Sequence, residues 1–281
     1  MKQRLLSSAL GLVLLFVVVV FFDTLLLNLA VSAVATLGVY ELLDAAKLKM
    51  RSLMLPSLTL TAFVPFVSIA SLKPWLPYLC YLFAILLFLV LLFRHPIRVE
   101  QIGLSFLMAV AISLSFSNLV FMRDEYETPL ALMYLVVALG SAWFSDASAY
   151  FVGRAIGKRP LAPTISPKKT VEGAIGGVIG CVICNLLAAF ALSSLLNSPE
   201  VNVYFGGSVQ VYYLRLLLVS PVLSLLSMFG DLCASAVKRQ FGVKDFGSIM
   251  PGHGGVMDRF DSVCFVLPFV YILSILFPLG A

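Results

Sequence analysis

Polar residues interrupt this chain so as to leave nine long apolar runs: Leu5–Phe22, Leu25–Leu43, Leu53–Leu72, Trp75–Phe93, Ile102–Met122, Leu130–Val152, Val171–Leu196, Val211–Val237 and Ser262–Leu279. Continuous runs of about 20 apolar residues suit helices that cross a hydrocarbon core of about 30 Å. Strands of a membrane barrel alternate apolar and polar positions and never give such runs. The pattern therefore predicts an all-α, polytopic integral membrane protein with about nine transmembrane helices in one membrane domain, 1–281. The start, Met1-Lys2-Gln3-Arg4, looks like that of a signal peptide, but Leu5–Phe22 is long for one and a second apolar run follows at once. It reads as an uncleaved first helix. No internal repeat is apparent.

Charge then orients the pattern. Of the 19 Lys and Arg, 16 fall in the N-terminal tail and the even-numbered loops; only Lys73, Arg123 and Arg215 fall in the odd ones. Basic residues mark cytoplasmic loops, so the N-terminus is expected in the cytoplasm and the C-terminus outside. The two long loops, Gly153–Thr170 and Lys238–Asp261, then share the cytoplasmic side. Only 12% of residues are charged, about half the usual share for a soluble domain, while 61% are hydrophobic. The net charge of +5 thus gathers on one face, suited to anionic headgroups or nucleotide phosphates. Setting topology needs a few Lys or Arg per loop, but no His, Gly or Asp. Cys181 and Cys184 form a CxxC inside an apolar run, which favours packing over redox chemistry.

Candidate chemistry concentrates in two clusters. The first is Ser235–Asp261, with Lys238, Arg239, Lys244, Asp245, His253, Asp258, Arg259 and Asp261 around the glycine-rich turn Pro251-Gly252-His253-Gly254-Gly255. Such a turn can aim N–H groups at an oxyanion. His253 suits phosphate contact or proton transfer, and equally a structural loop role; His95 has no comparable context. Asp231 lies in the preceding span, with Ser227, Ser235 and Lys238 on the same helix face. Asp146 lies in another span, followed by Tyr150 and Arg154 at one and two turns. Each of these two Asp is about seven residues, or roughly 10 Å, from the cytoplasmic end. Intramembrane carboxylates face a wet cavity or a cation, or make a structural interhelical contact. Asp258 and Asp261 would point the same way if their segment is helical, and with Asp231 could form an oxygen-rich site for Mg²⁺. The second cluster runs from Asp146 through Arg154 to Ser166-Pro167-Lys168-Lys169-Thr170-Val171-Glu172-Gly173. A helix starting near Thr170 would favour anions. Glu172 is open between a metal or base contact and a partner for Lys168 or Lys169. The order of a P-loop is absent.

These clusters resemble the signature of the CDP-diacylglycerol synthase (phosphatidate cytidylyltransferase) family. The match comprises Ser235-Ala236-Val237-Lys238-Arg239, Lys244-Asp245 and His253-Gly254-Gly255-Val256-Met257-Asp258-Arg259-Phe260-Asp261, with the upstream elements from Asp146 and Ser166. Met250 is a conservative departure before Pro251. The motifs cover the C-terminal half; the N-terminal half is similar only in being hydrophobic helices. The resemblance implies transfer of the cytidylyl group of CTP to phosphatidate, giving CDP-diacylglycerol and pyrophosphate. It implies Mg²⁺ at Asp231, Asp258 and Asp261, with K⁺ as an accessory cation, and often a homodimer. Catalytic roles are expected for Asp231, Lys238, Arg239, Lys244, Asp245, His253, Asp258 and Arg259. Binding roles are expected for Asp146, Arg154, Ser166, Lys169, Thr170 and Glu172. Residues 1–129 are expected as scaffold and oligomer contacts, and 130–281 as the active-site half. The expected setting is a bacterial inner membrane, with membrane lipid and no nucleic acid as partner. A CTP-dependent lipid kinase is the alternative enzyme, and an anion transporter the alternative outside enzymes; one-sided charge and the lack of a repeat count against the transporter.

Overall fold

The computed structural model describes residues 11, 13–68, 72–94, 96–196, 209–250, 252 and 254–277. The elements are α1 (Leu25–Ala45), α2 (Arg51–Phe63), α3 (Leu76–Phe93), α4 (Val99–Glu125), α5 (Thr128–Ile156), β1 (Pro160–Ala162), β2 (Ser166–Thr170), α6 (Val171–Leu196), α7 (Val209–Gln240), α8 (Met257–Phe260) and α9 (Val263–Leu276). Among the described residues, six helices (α1, α3, α4, α5, α6 and α7) are long and apolar enough to cross a membrane. The protein is an all-α, polytopic integral membrane protein.

Among the described residues, the runs Leu53–Leu72 and Ser262–Leu279 carry helices shorter than expected. The run Leu53–Leu72 is helical only to Phe63, then tightens into a 3-10 turn at Val64–Phe66. Pro65 lies there, and its missing N–H removes a bond from the α-helical ladder. The last span is 14 residues, Val263–Leu276. The short turn between the first two runs is real. Residues 13–20 are helical, Thr24 Oγ1 donates to Phe21 O at 2.7 Å, and the same oxygen caps α1 by accepting the Leu26 N–H at 3.2 Å.

The chain forms two compact units. The first comprises residues 1–124 and 240–260. Its core includes a stripe on α1 of Leu27, Val31, Ala35, Val39 and Leu42, all buried at helical spacing. Arg123 at the end of α4 donates to Thr24 O at 3.0 Å and Asn28 Oδ1 at 2.7 Å. Asn28 in turn donates to Pro65 O at 2.6 Å. One guanidinium and one amide thus tie α4, α1 and the 3-10 turn together.

The second unit comprises residues 125–239 and 261–281. Its centre is the packing of α5 on α6. Gly173, Gly176, Gly177 and Gly180 present a surface without side chains to Ala149, Val152, Gly153, Ser145 and Ser148; a Cβ on Gly173 would stand 2.8 Å from Ala149 O and 3.1 Å from Gly153 Cα. Small residues allow this close approach where apolar burial gives helices little drive to associate in lipid. A polar seam joins α7 to the pair. Asn185 donates to Ser141 Oγ at 2.8 Å and Ser220 Oγ at 3.1 Å, and Ser145 and Ser224 hydroxyls meet at 2.7 Å. Cys181 is buried beside this seam, and the cysteines are free thiols, in keeping with packing. The loop expected after α5 contains an antiparallel hairpin pairing Pro160 with Thr170 and Ala162 with Ser166.

Candidate active site

The second unit holds two carboxylate–ammonium pairs, Asp231 with Lys169 and Asp261 with Lys238, within electrostatic range of Asp146. α5 supplies Asp146; α7 supplies Asp231 and Lys238; β2 supplies Lys169; Asp261 and Ser262 open the turn into α9. Lys169 Nζ pairs with Asp231 Oδ2 as a charge contact, yet without the alignment of a hydrogen bond. Ser235 donates to Asp231 Oδ1 at 3.4 Å, one helical turn along the same face. Lys238 Nζ stands 3.5 Å from Asp261 Oδ2, with about a tenth of either side chain exposed. Asp261 Oδ1 accepts the Ser262 N–H at 2.8 Å, and Asp146 Oδ2 accepts the Ser262 hydroxyl at 3.0 Å. Asp146 lies within electrostatic range of Asp231, Lys169 and Asp261. The shared face of Asp231, Ser235 and Lys238 follows from their spacing on one continuous helix. Ser262 was not singled out from the sequence; its place beside Asp261 was the available signal.

The hairpin sits at the end of this cluster. Arg239 Nε donates to Ile165 O at 3.5 Å, and Arg154 reaches the Tyr150 hydroxyl at 3.4 Å. Glu172 pairs with neither Lys168 nor Lys169. Its Oε2 accepts the backbone N–H groups of Lys158 and Arg159, at 3.0 and 3.1 Å, and so locks the strand entry to the start of α6. Thr170 Oγ1 accepts the Gly173 N–H at 3.1 Å, an ordinary cap that occupies part of the helix start expected to favour anions. Ser166 lies in β2, opposite Ala162.

The first unit holds the glycine-rich loop. Gly242, at φ +69°, follows the end of α7, and Gly252 and Gly254 adopt φ +78° and +87°. These left-handed positions favour glycine, which has no Cβ to clash. Lys244 and Asp245 lie in the bend before Phe246. Asp258 Oδ2 accepts the N–H groups of Phe246 and Gly255, both at 2.9 Å. Helix α8 ends at Phe260, just before Asp261; within the first unit Asp258 folds the loop, and within the second Asp261 faces Lys238 and Ser262. Arg259 lies on α8. His253, His95 and Pro251 lie outside the described residues. A carboxylate from the N-terminal half also enters this loop. Glu41, on α1 and 2% exposed, accepts the Val256 N–H at 3.0 Å and the Met257 N–H at 2.8 Å. Sequence reasoning treated that half as scaffold. Glu41 interrupts an apolar run as Asp146 and Asp231 do, and the same rule would have found it.

The donors suit a hard divalent ion, since the acidic groups offer oxygen only. Among the described residues, no three Asp, Glu, His or Cys side chains stand together as a ready-made metal cage. In the second unit the two ammonium groups neutralise Asp231 and Asp261 instead.

Carboxylates paired with ammonium groups lie beside a basic hairpin in a membrane protein, an arrangement whose cations suit phosphorylated, anionic molecules. The sequence pattern of the cytidylyltransferase family matches residues 2–277, and the chain belongs to that family. It is 36% identical to the phosphatidate cytidylyltransferase of Bacillus subtilis over 294 residues, covering 99% of this chain and 98% of that one. It is 44% identical to the Staphylococcus aureus protein of the same name over 151 residues, 53% of this chain and 52% of that one. With the Staphylococcus saprophyticus protein, also so named, identity is 42% over 170 residues, 60% of this chain and 58% of that one.

Proposed function

We infer that the chain transfers the cytidylyl group of CTP to phosphatidate, forming CDP-diacylglycerol and pyrophosphate. The observation that carries this reading is the end-to-end match to a phosphatidate cytidylyltransferase. The clustered carboxylates and ammonium groups of the second unit support it.

Phosphatidate carries a phosphate monoester whose second ionisation resembles that of phosphoserine, about 6. At neutral pH its oxygen is already an anionic nucleophile and needs no strong base. That oxygen forms a bond to the α-phosphorus of CTP, the bond from the α-phosphorus to the αβ-bridging oxygen breaks, and the electron pair leaves with pyrophosphate. The protein's task is to hold two anions close and to balance charge on the transferring and departing groups. Lys169, Lys238 and Arg239 carry that charge in the second unit; Lys244, Arg259 and His253 keep the phosphate roles suggested by the sequence. Asp231 and Asp261 would hold Mg²⁺, which when bound supplies Lewis-acid stabilisation of phosphate oxygens. Asp258 already commits one oxygen to two N–H donors, and Mg²⁺ titration of Asp258→Asn decides whether the other is a ligand. We place the protein in a bacterial inner membrane, its catalytic groups facing the cytoplasm, as a homodimer.

The direct test uses purified protein with CTP, phosphatidate and Mg²⁺. The expected result is a CMP-bearing lipid and one pyrophosphate for each lipid converted. Absence of nucleotide-lipid in folded, metal-supplied protein would refute the assignment.

A further inference from the structure

We propose that Glu41, on the N-terminal helix α1, is a positioning residue for cytidylyl transfer, because its buried carboxylate sets the backbone of the glycine-rich loop. This rests on the function inferred above. Glu41 is almost wholly enclosed, and its two oxygens accept the consecutive N–H groups of Val256 and Met257. A Cβ on Gly247 or Gly255 would fall inside 3.0 Å of the Glu41 side chain, so the loop backbone lies directly against the carboxylate on two sides. Gly38, one turn earlier on α1, lies against Met257, which fixes the loop's end to the same helix face. On the loop's other side Asp258 takes the N–H groups of Phe246 and Gly255.

Two carboxylates thus organise residues 246–258 through four backbone donors. Among the described residues of this segment, one backbone bridge is present, joining Met250 and Gly254. Phe246, Val256 and Met257 are buried and anchor the ends. Lys244 and Asp245 precede the segment; Asp258 and Arg259 close it. Their placement therefore depends on a group more than 200 residues away in sequence.

A carboxylate is the required chemistry. Both Glu41 oxygens act as acceptors, whereas a glutamine of equal size would present an NH₂ donor to one of the two N–H groups. The carboxylate also fills the space that the two glycines leave, so the acid and the glycines are parts of one contact.

The experiment compares Glu41→Gln and Gly247→Ala with the unaltered protein in detergent or nanodiscs. Gly247 has no positive φ, so alanine is tolerated by the backbone and acts only by pushing a methyl group into the carboxylate. Hydrogen exchange at the peptide containing Val256 and Met257, and kcat and KM for CTP and phosphatidate, are measured together. Both variants are expected to exchange faster at that peptide and to lose at least about tenfold in kcat, the scale of a small misplacement. KM is expected to change less than threefold. Wild-type kcat in either variant, or unchanged protection of that peptide in Glu41→Gln, would overturn the proposal. If the unaltered protein makes no nucleotide-lipid, the functional reading fails; the exchange measurement still tells whether Glu41 sets the loop.

Discussion

Lys169→Met should weaken the protein more than Asp231→Asn, although the two residues share one ion pair. In the second unit Lys169 pairs with Asp231 and Lys238 with Asp261, and Asp146 lies within electrostatic range of Asp231, Lys169 and Asp261. Removing Lys169 leaves the Asp231 carboxylate without its ammonium partner beside other carboxyl groups, whereas removing Asp231 leaves Lys169 within range of Asp146. A charge pair at about 4 Å is worth roughly 4 kcal/mol at an effective dielectric of 20. Each partner of the Lys169–Asp231 pair is 25% exposed, and solvent screening together with side-chain entropy lowers the net value. About 2 kcal/mol is then the expected loss for Lys169→Met, or roughly 4–8 °C in melting temperature for a unit of this size. Asp231→Asn keeps a carboxyl group near Lys169, so its loss should stay below about 1 kcal/mol, the range of a solvent-screened pair. Added Mg²⁺ should raise the melting temperature of Lys169→Met more than that of the unaltered protein, and that of Asp231→Asn less. Thermal unfolding of detergent-purified variants, with chelator and then with Mg²⁺, reads all of this. If Lys169→Met were as stable as the unaltered protein without metal, or Mg²⁺ stabilised Asp231→Asn fully, the charge argument would be wrong.

Other consequences follow from the same geometry. Glu172→Ala should free the N–H groups of Lys158 and Arg159 and speed their hydrogen exchange while the α5 and α6 interiors stay protected. Gly173→Val should lower the melting temperature and the yield of folded protein, because its side chain meets the Ala149 carbonyl; overpacking of this kind costs about 1–3 kcal/mol. Chelation of divalent ions should abolish turnover, and Mg²⁺ should restore it.

Much of the fold was legible because hydrocarbon imposes simple rules. The run Val171–Leu196 has the bounds of α6, and Leu25–Leu43 falls within α1. What hydropathy could not show is where backbone geometry overrides it. Pro65 ends a helix inside an apolar run, and a run rich in Pro and Lys pairs with itself as a hairpin. The use of the α6 glycines appears only against α5. Type and spacing placed Asp231, Ser235 and Lys238 on one helix face, and that helix is continuous through them. Type and spacing could not assign partners across elements. Glu172 therefore turned out to hold backbone N–H groups, and Asp258 to fold its own loop. Glu41 was missed because motif density drew attention to the C-terminal half.

The most direct measurement follows the two ends of CTP. Protein is supplied with phosphatidate, Mg²⁺ and CTP labelled at either the α- or the γ-phosphorus. The account expects the α label in chloroform-soluble lipid and the γ label in pyrophosphate. A γ label entering lipid, with CDP released into water, would contradict cytidylyl transfer and make the protein a kinase.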